Sequence, residues 1–329
     1  MRLYVISGVT GMTGSELARQ LVARGDKVIG FDNFFASSIN SVKDILDNKN
    51  FIFHEYDLNN GTHMSVLREE VLSAKLKDVD YVAYVNCAAV VHTEHFYHVN
   101  STYLTNVVSM KNFLEQAIEV KADIFINCST SEVYSMDSYR EGGVRESDFL
   151  TLANAEHSQR TSYAVGKLMT EFFMKDAVAD GKIKGCSIRF ANVYSKSELY
   201  PKHIIPHILF SLNERGEVEL LENSKKNRRT FLHNFDSCSA VIALMDHPSS
   251  LDGTVYNVGT MEELSIIELV KLCGSKLGID NPKIVFNGFR ASDPERRLLN
   301  TEKIRAATGW KPVIDIQSGI EMCVAEIKK

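Results

Sequence analysis

Short apolar runs alternate with stretches of helical spacing along residues 1–190. Segments 2–7, 27–31, 51–56, 81–87, 124–128 and 185–190 have the length and apolar character of buried strands. Between them, 14–24 carries Leu17, Leu21 and Val22 at helical spacing, and 102–120 and 163–179 read as longer helices. Strand–helix alternation at this period predicts an α/β fold, a doubly wound parallel sheet of Rossmann type covered on both faces. After Asn192 the pattern changes. Segments shorten and the six prolines begin, at Pro201, Pro206, Pro248, Pro282, Pro294 and Pro312. The expected organisation is a Rossmann domain over 1–190 and mainly a smaller substrate-binding lobe over 191–329, with some of its segments returning to the sheet. No internal repeat or low-complexity tract interrupts this plan.

Composition narrows the functional classes. With 329 residues, 44% of them hydrophobic, the chain can bury a large core. A net charge of -5 gives no field for drawing in nucleic acid or an anionic membrane, so neither is an expected partner. No run of apolar residues is long enough to cross a bilayer. The opening MRLYVISG meets glycine too soon for a signal peptide and reads as a first strand. The six cysteines (Cys87, Cys128, Cys186, Cys238, Cys273, Cys323) show neither CxxC nor metal-ligand spacing. They read as free thiols in a reducing compartment, and the expected location is the cytoplasm. His92, His95 and His98 lack supporting Cys or Asp spacing, so no metal is expected.

The candidate chemistry begins with Gly8-x-x-Gly11-x-x-Gly14, lying between the first strand and the first helix. There the first glycine allows a tight turn, the second lets backbone approach a pyrophosphate, and the third lets helix pack on strand. The helix N-terminus adds partial positive charge. Asp32 ends the second strand, placed for both ribose hydroxyls of an adenosine, and its charge disfavours a 2′-phosphate; NAD is therefore expected over NADP. Asp57-Leu58 ends the third strand, where a carboxylate can receive the adenine amino group. Tyr163 and Lys167, four apart, share one helix face. A phenol titrates near ~10, and a neighbouring ammonium is expected to move it toward neutrality.

These residues together resemble the extended short-chain dehydrogenase/reductases, specifically the NAD-dependent nucleotide-sugar epimerase/dehydratase family. Further segments carry the resemblance nearly end to end. Asn86-Cys87-Ala88-Ala89 is similar to a segment lining the family's cofactor cleft, and the helix beginning Asn106-Val107 also matches. Arg189-Phe190-Ala191-Asn192-Val193-Tyr194, Arg229-Thr230-Phe231-Leu232-His233 with Asp236, Tyr256-Asn257-Val258-Gly259 and Thr308-Gly309-Trp310-Lys311-Pro312 match later hallmarks. Ser135 and Ser195 replace glycines usual after Val-Tyr, Ser109 replaces another, and Asn86 replaces a histidine.

The resemblance implies a set of roles. Thr130 steadies the Tyr163 phenolate and touches the sugar 4-hydroxyl, and Lys167 holds the nicotinamide ribose. Met12, Thr13, Asn33, Ala88 and Ala89 join the glycines, Asp32, Asp57 and Leu58 around NAD. Asn192, Arg229 and Arg297 address the diphosphate of a nucleotide-diphosphate sugar, and His92 is a further substrate contact. The Thr130-Ser131-Glu132 triplet is similar to that of sugar-nucleotide 4,6-dehydratases and UDP-glucuronate decarboxylases. It implies a 4,6-dehydratase: transient C4 oxidation, C5 proton abstraction by Glu132, loss of water and hydride return to C6. UDP-glucuronate decarboxylation and 4-epimerisation remain alternatives. A homodimer paired through the 102–120 and 163–179 helices is also implied.

Overall fold

A computed structural model describes residues 1–328 apart from 91, 93, 135–139, 199 and 292; Ser135 thus lies outside the described residues. Six strands come from the N-terminal region: β1 Arg2–Ser7, β2 Lys27–Asp32, β3 Phe51–Glu55, β4 Tyr81–Asn86, β5 Ile124–Thr130 and β6 Lys184–Phe190. A seventh, β7 Asp252–Val258, returns from the C-terminal region to pair with β6. All seven lie parallel in the order β7-β6-β5-β4-β1-β2-β3. The order reverses beside β1, so the carboxyl ends of β1 and β4 open a crevice, the usual ligand position in such sheets.

Strand β1 shows why the runs are apolar rather than alternating. Leu3, Tyr4, Val5 and Ile6 are all buried, because helices cover both sheet faces. Leu3 and Val5 join one core cluster and Tyr4 and Ile6 the other. Burying each of the aliphatic side chains Leu3, Val5 and Ile6 contributes roughly 1.5–3 kcal/mol. Helix α1 (Met12–Ala23) buries Leu17, Ala18, Leu21 and Val22 against one face.

Two helical findings differ from the sequence pattern. Helix α2 (Gly61–Lys77) gave no periodic signal, since among its residues only Leu67 and Val71 are buried. The stretch read as one helix over 102–120 begins earlier, at Val99, and passes through a π-helical segment, Tyr103–Val108, before Ser109–Glu119. The Ser109 hydroxyl donates to the Leu104 carbonyl, five residues back, so the widened turn is partly held by the residue standing in place of glycine. Helix α3 (Thr161–Ala179) then carries Tyr163 and Lys167 toward the end of β5. The C-terminal lobe has its own core, built from Tyr194, Ile208, Leu212, Phe231, Leu269 and Ile320 among others.

Candidate active site

A single cleft of about 1380 Å³ runs from the β1–α1 turn to the C-terminal lobe. At its first end Gly8 holds φ +67°, and a Cβ there would come within 2.7 Å of the Ala88 backbone nitrogen. A Cβ on Gly14 would lie 2.2 Å from the Gly8 carbonyl oxygen. Both positions need glycine for close approach of backbone to backbone. Gly11 caps α1 without a side-chain hydrogen bond, and the first turn holds no acidic residue. The helix therefore presents free N–H groups and partial positive charge to the cleft, a fit for a pyrophosphate. Asp32 accepts hydrogen bonds from the backbone N–H groups of Thr10 (3.1 Å) and Phe34 (2.9 Å), which fix its carboxylate at the crevice. Asn33 donates to Asp57 (3.0 Å), linking the ends of β2 and β3. Met12, Thr13, Leu58, Ala88 and Ala89 line the same cleft. A dinucleotide fits this donor set.

The other end is built where β5 runs out. The sheet positions Thr130 at the strand terminus, and a short turn, Ser131–Tyr134, follows. Thr130 Oγ1 accepts the Glu132 N–H (3.2 Å), tightening that turn. The turn aims Thr130 and Glu132 into the cleft and folds Ser131 inward. Ser131, expected among the catalytic residues as part of the triplet, is buried and does not line the cleft.

Tyr163 lies against Phe96, ring on ring at 4.0 Å, and the Arg160 guanidinium lies over the Phe96 ring, 5.4 Å from its centroid. Burial first, and the Glu132 carboxylate second, push the phenol above its ordinary value; the Thr130 hydrogen bond and Arg160 pull it back. The expectation of a phenol lowered by Lys167 is not met. Lys167 is itself buried, which depresses it to about 8, and its Nζ donates to the Cys128 carbonyl (2.8 Å).

Glu132 is gripped by two guanidiniums. Arg297 reaches it at 2.6 Å and 3.4 Å, and Arg160 at 3.2 Å. Burial alone would raise this carboxyl; Arg297, then Arg160, more than reverse that and hold it at about 2. Arg297, expected on the diphosphate, is thus engaged by Glu132 instead. Its Nε atom, like that of Arg160, is buried without a hydrogen-bond partner among the described residues. Arg229 stands nearby, depressed to about 10 by burial and by Arg297, and paired with Asp293 at 3.0 Å. Asn227 braces the second oxygen of Asp293 (2.7 Å). Asn192 donates to the Thr230 carbonyl (3.2 Å), and His92 stacks on Tyr200 at 3.8 Å; both line the cleft.

Arg160, Phe96 and Asp293 escaped the sequence reading. Arg160 had a usable signal, standing one helical turn before Tyr163. Phe96 reaches the site through tertiary packing that no local spacing announces; Asp293 stands in the Asp293-Pro294-x-x-Arg297 run that marked Arg297, but its own pairing with Arg229 was not foreseen.

The family model described as "NAD dependent epimerase/dehydratase family" matches residues 4–259. The chain belongs to this family. Its cofactor is NAD, and nucleotide sugars are the substrates that the epimerase/dehydratase family handles. Among curated relatives, UDP-glucuronic acid decarboxylase 4 of Arabidopsis thaliana is 26% identical over 328 residues, covering 99% of this chain and 68% of the relative. The dTDP-D-glucose 4,6-dehydratase of Mus musculus is 24% identical, covering 99% and 88%. Among solved structures, a dTDP-glucose 4,6-dehydratase from Streptomyces venezuelae with NAD bound superposes with a TM-score of 0.85 at 24% identity, covering 100% of this chain and 97% of that one. That last likeness is one of fold. No helix among the described residues is long and apolar enough to cross a membrane.

Proposed function

We propose that this family member is a nucleotide-sugar 4,6-dehydratase acting on a nucleoside diphosphate hexose. The observation that carries the reading is Glu132, a carboxylate kept ionised on the cleft wall and close enough to Tyr163 to perturb its phenol. Simple 4-epimerisation gives such a carboxylate no task. The chemistry that bound NAD supplies is reversible storage of one hydride, removed from C4 and given back at C6. Tyr163 must be ionised to accept the 4-hydroxyl proton; its phenol is raised in the protein alone, and the cationic nicotinamide ring would supply the field that favours phenolate, while Thr130 holds the phenol oxygen. Lys167, on the next turn of α3, is the group for the nicotinamide ribose. The 4-ketone acidifies the C5 hydrogen; Glu132 takes that proton and its bonding pair becomes an enolate. The enolate expels the C6 hydroxyl, which leaves as water on receiving the proton from Glu132; the resulting 5,6-ene regains hydride at C6 and a solvent proton at C5, and Tyr163 returns its proton to solvent. Arg229 and Asn192 are the proposed diphosphate contacts, and His92 a further substrate contact.

One observation favours a second reading. Arg160, Arg297 and Arg229 all act on Glu132, and Asp293 balances only one of them. An excess of guanidinium charge suits a substrate carboxylate at C6, as in decarboxylation of a UDP-hexuronic acid, where the 4-ketone makes a β-keto acid. Incubating the NAD-loaded protein with a panel of nucleotide sugars separates the readings by product mass. Loss of water is expected; loss of CO2 or an unchanged mass overturns the dehydratase assignment.

A homodimer is part of the proposal. Tyr97, Val99, Tyr103, Leu104, Val165, Met169 and Phe172 are exposed large apolar side chains along the 97–104 and α3 surfaces, and a second copy burying them fits this pattern. Sedimentation would detect it. The unpaired cysteines support the cytoplasm as the compartment.

A further inference from the structure

Two cysteines with no part in the proposed reaction meet at the floor of the cofactor end. Cys87 follows the last residue of β4 and Cys128 lies in β5, and their sulfurs stand 3.8 Å apart. The register pairs Asn86 with Asn127, so the two cysteines occupy the next step of adjacent parallel strands. Strand spacing of ~4.8 Å lies inside the Cα range that a disulfide accepts. Both residues line the cleft together with Gly8, Ala88 and Lys167. Both also touch functional backbone. The Cys128 carbonyl receives the Lys167 ammonium, and the Cys87–Ala88 peptide lies where it leaves no room for a Cβ on Gly8.

We infer that Cys87 and Cys128 form an oxidation site for hydroperoxides, closing to a disulfide beneath the cofactor and weakening NAD binding. The electron count is simple. The Cys128 thiolate attacks the peroxide oxygen, giving a sulfenic acid and releasing an alcohol, or water from hydrogen peroxide. The Cys87 sulfur then attacks that sulfenic sulfur; the S–O bond breaks and the hydroxyl leaves as water with the Cys87 proton. Two thiols are oxidised and one peroxide is reduced. The order of attack follows the local charges. Cys128 is lowered by the hydrogen bond from Cys87 and by Lys167, whereas Cys87 is raised well above an ordinary thiol, first through its contact with Cys128 and then through burial. The other four cysteines are buried outside the cleft wall, and three of them, Cys186, Cys238 and Cys273, are fully enclosed.

Bond formation draws the sulfurs together by roughly 1.8 Å, to ~2.05 Å. The ends of β4 and β5 must accommodate that movement against the Gly8 turn and Lys167. Oxidation and NAD are then linked, and each opposes the other by the same factor.

The full-length protein, freed of NAD and treated with hydrogen peroxide, provides the test. Peptide mass spectrometry is expected to find a Cys87–Cys128 disulfide-linked peptide that dithiothreitol removes. Saturating NAD is expected to suppress it, and the oxidised protein to bind NAD about fivefold more weakly or worse by calorimetry. Cys87→Ala is expected to leave Cys128 as sulfenic or sulfinic acid, trapped by dimedone where still sulfenic. The wild-type NAD-protection experiment keeps the test decisive if that variant does not fold. Oxidation distributed over the other cysteines, or a linked peptide formed equally with NAD present and no loss of NAD affinity, overturns the inference.

Discussion

Replacing Glu132 by Gln and Arg297 by Met, singly and together, measures the electrostatic grip at the centre of the cleft. Glu132 stands at about 2 against an ordinary 4.5, and its side chain is 22% exposed, so solvent screens it little. At ~1.4 kcal/mol per tenfold change, that fall corresponds to roughly 3 kcal/mol of folded-state stability at pH 7. The sign follows from the direction. A carboxyl lowered on folding contributes fully above its unfolded value of 4.5, and the contribution is lost as pH falls through about 2. Arg297 supplies the larger share, Arg160 the next, and burial opposes both. The expected coupling energy from a double-mutant cycle by urea denaturation at pH 7 is therefore about 2–3 kcal/mol. Arg297→Met alone is expected to cost more than the double variant, because it leaves a buried carboxylate with one guanidinium. The stability gap between wild type and Glu132→Gln should shrink as pH falls from 5 toward 3. A coupling below about 0.5 kcal/mol, or a gap independent of pH, would refute the reasoning.

Lys167 is buried at about 8 rather than 10.5, so the folded state bears a charge penalty worth roughly 3 kcal/mol, offset by ~1 kcal/mol from its hydrogen bond to Cys128. Lys167→Met is expected to gain about 2 kcal/mol of unfolding free energy at pH 7 while losing activity. Because the folded protein releases this proton first, that gain should hold below pH 8 and close between pH 8 and 10.5 in denaturation series. Tyr163→Phe should lower turnover by about a hundredfold or more while calorimetry finds NAD binding retained. Gly14→Ala should lose NAD binding and cost about 1–3 kcal/mol, since its Cβ meets the Gly8 carbonyl at 2.2 Å; an unchanged melting temperature and NAD affinity would count against the packing argument.

What the sequence revealed divides by the reach of the constraint. The glycine turn, Asp32 and the Tyr163–Lys167 face were legible because each depends on neighbours within a few residues or one strand–helix unit. The strands were legible because burial on both faces removes polar positions altogether. Helix α2 was hidden because only Leu67 and Val71 are buried, leaving no continuous apolar face. The grip on Glu132 joins residues 28 and 165 positions apart, so neither the position of Arg160 one turn before Tyr163 nor the resemblance that marked Arg297 for the diphosphate announced it. The raised phenol was missed for the same reason: burial and the charge of Glu132 reach Tyr163 through space, whereas the four-residue spacing announced only Lys167.

The charges of the cleft share one cause. Burial shifts Lys167 and Arg229 down and Tyr163 up, so the site is already a place of low polarisability in which charge–charge energies are large. Glu132 is carried against the trend of burial, by guanidiniums that keep it ionised and at the same time make it a weak base. That opposition discriminates the two chemistries. Dehydration needs Glu132 to accept the C5 proton, so the ketone must do most of the acidifying, and Glu132→Gln abolishes water loss. Decarboxylation breaks the C5–C6 bond without any base at C5, and there the same substitution frees Arg297 and Arg160 for a substrate carboxylate. Loss of turnover on a neutral hexose, set beside survival of turnover on a hexuronate, would therefore assign Glu132 by what each bond cleavage requires of it rather than by resemblance.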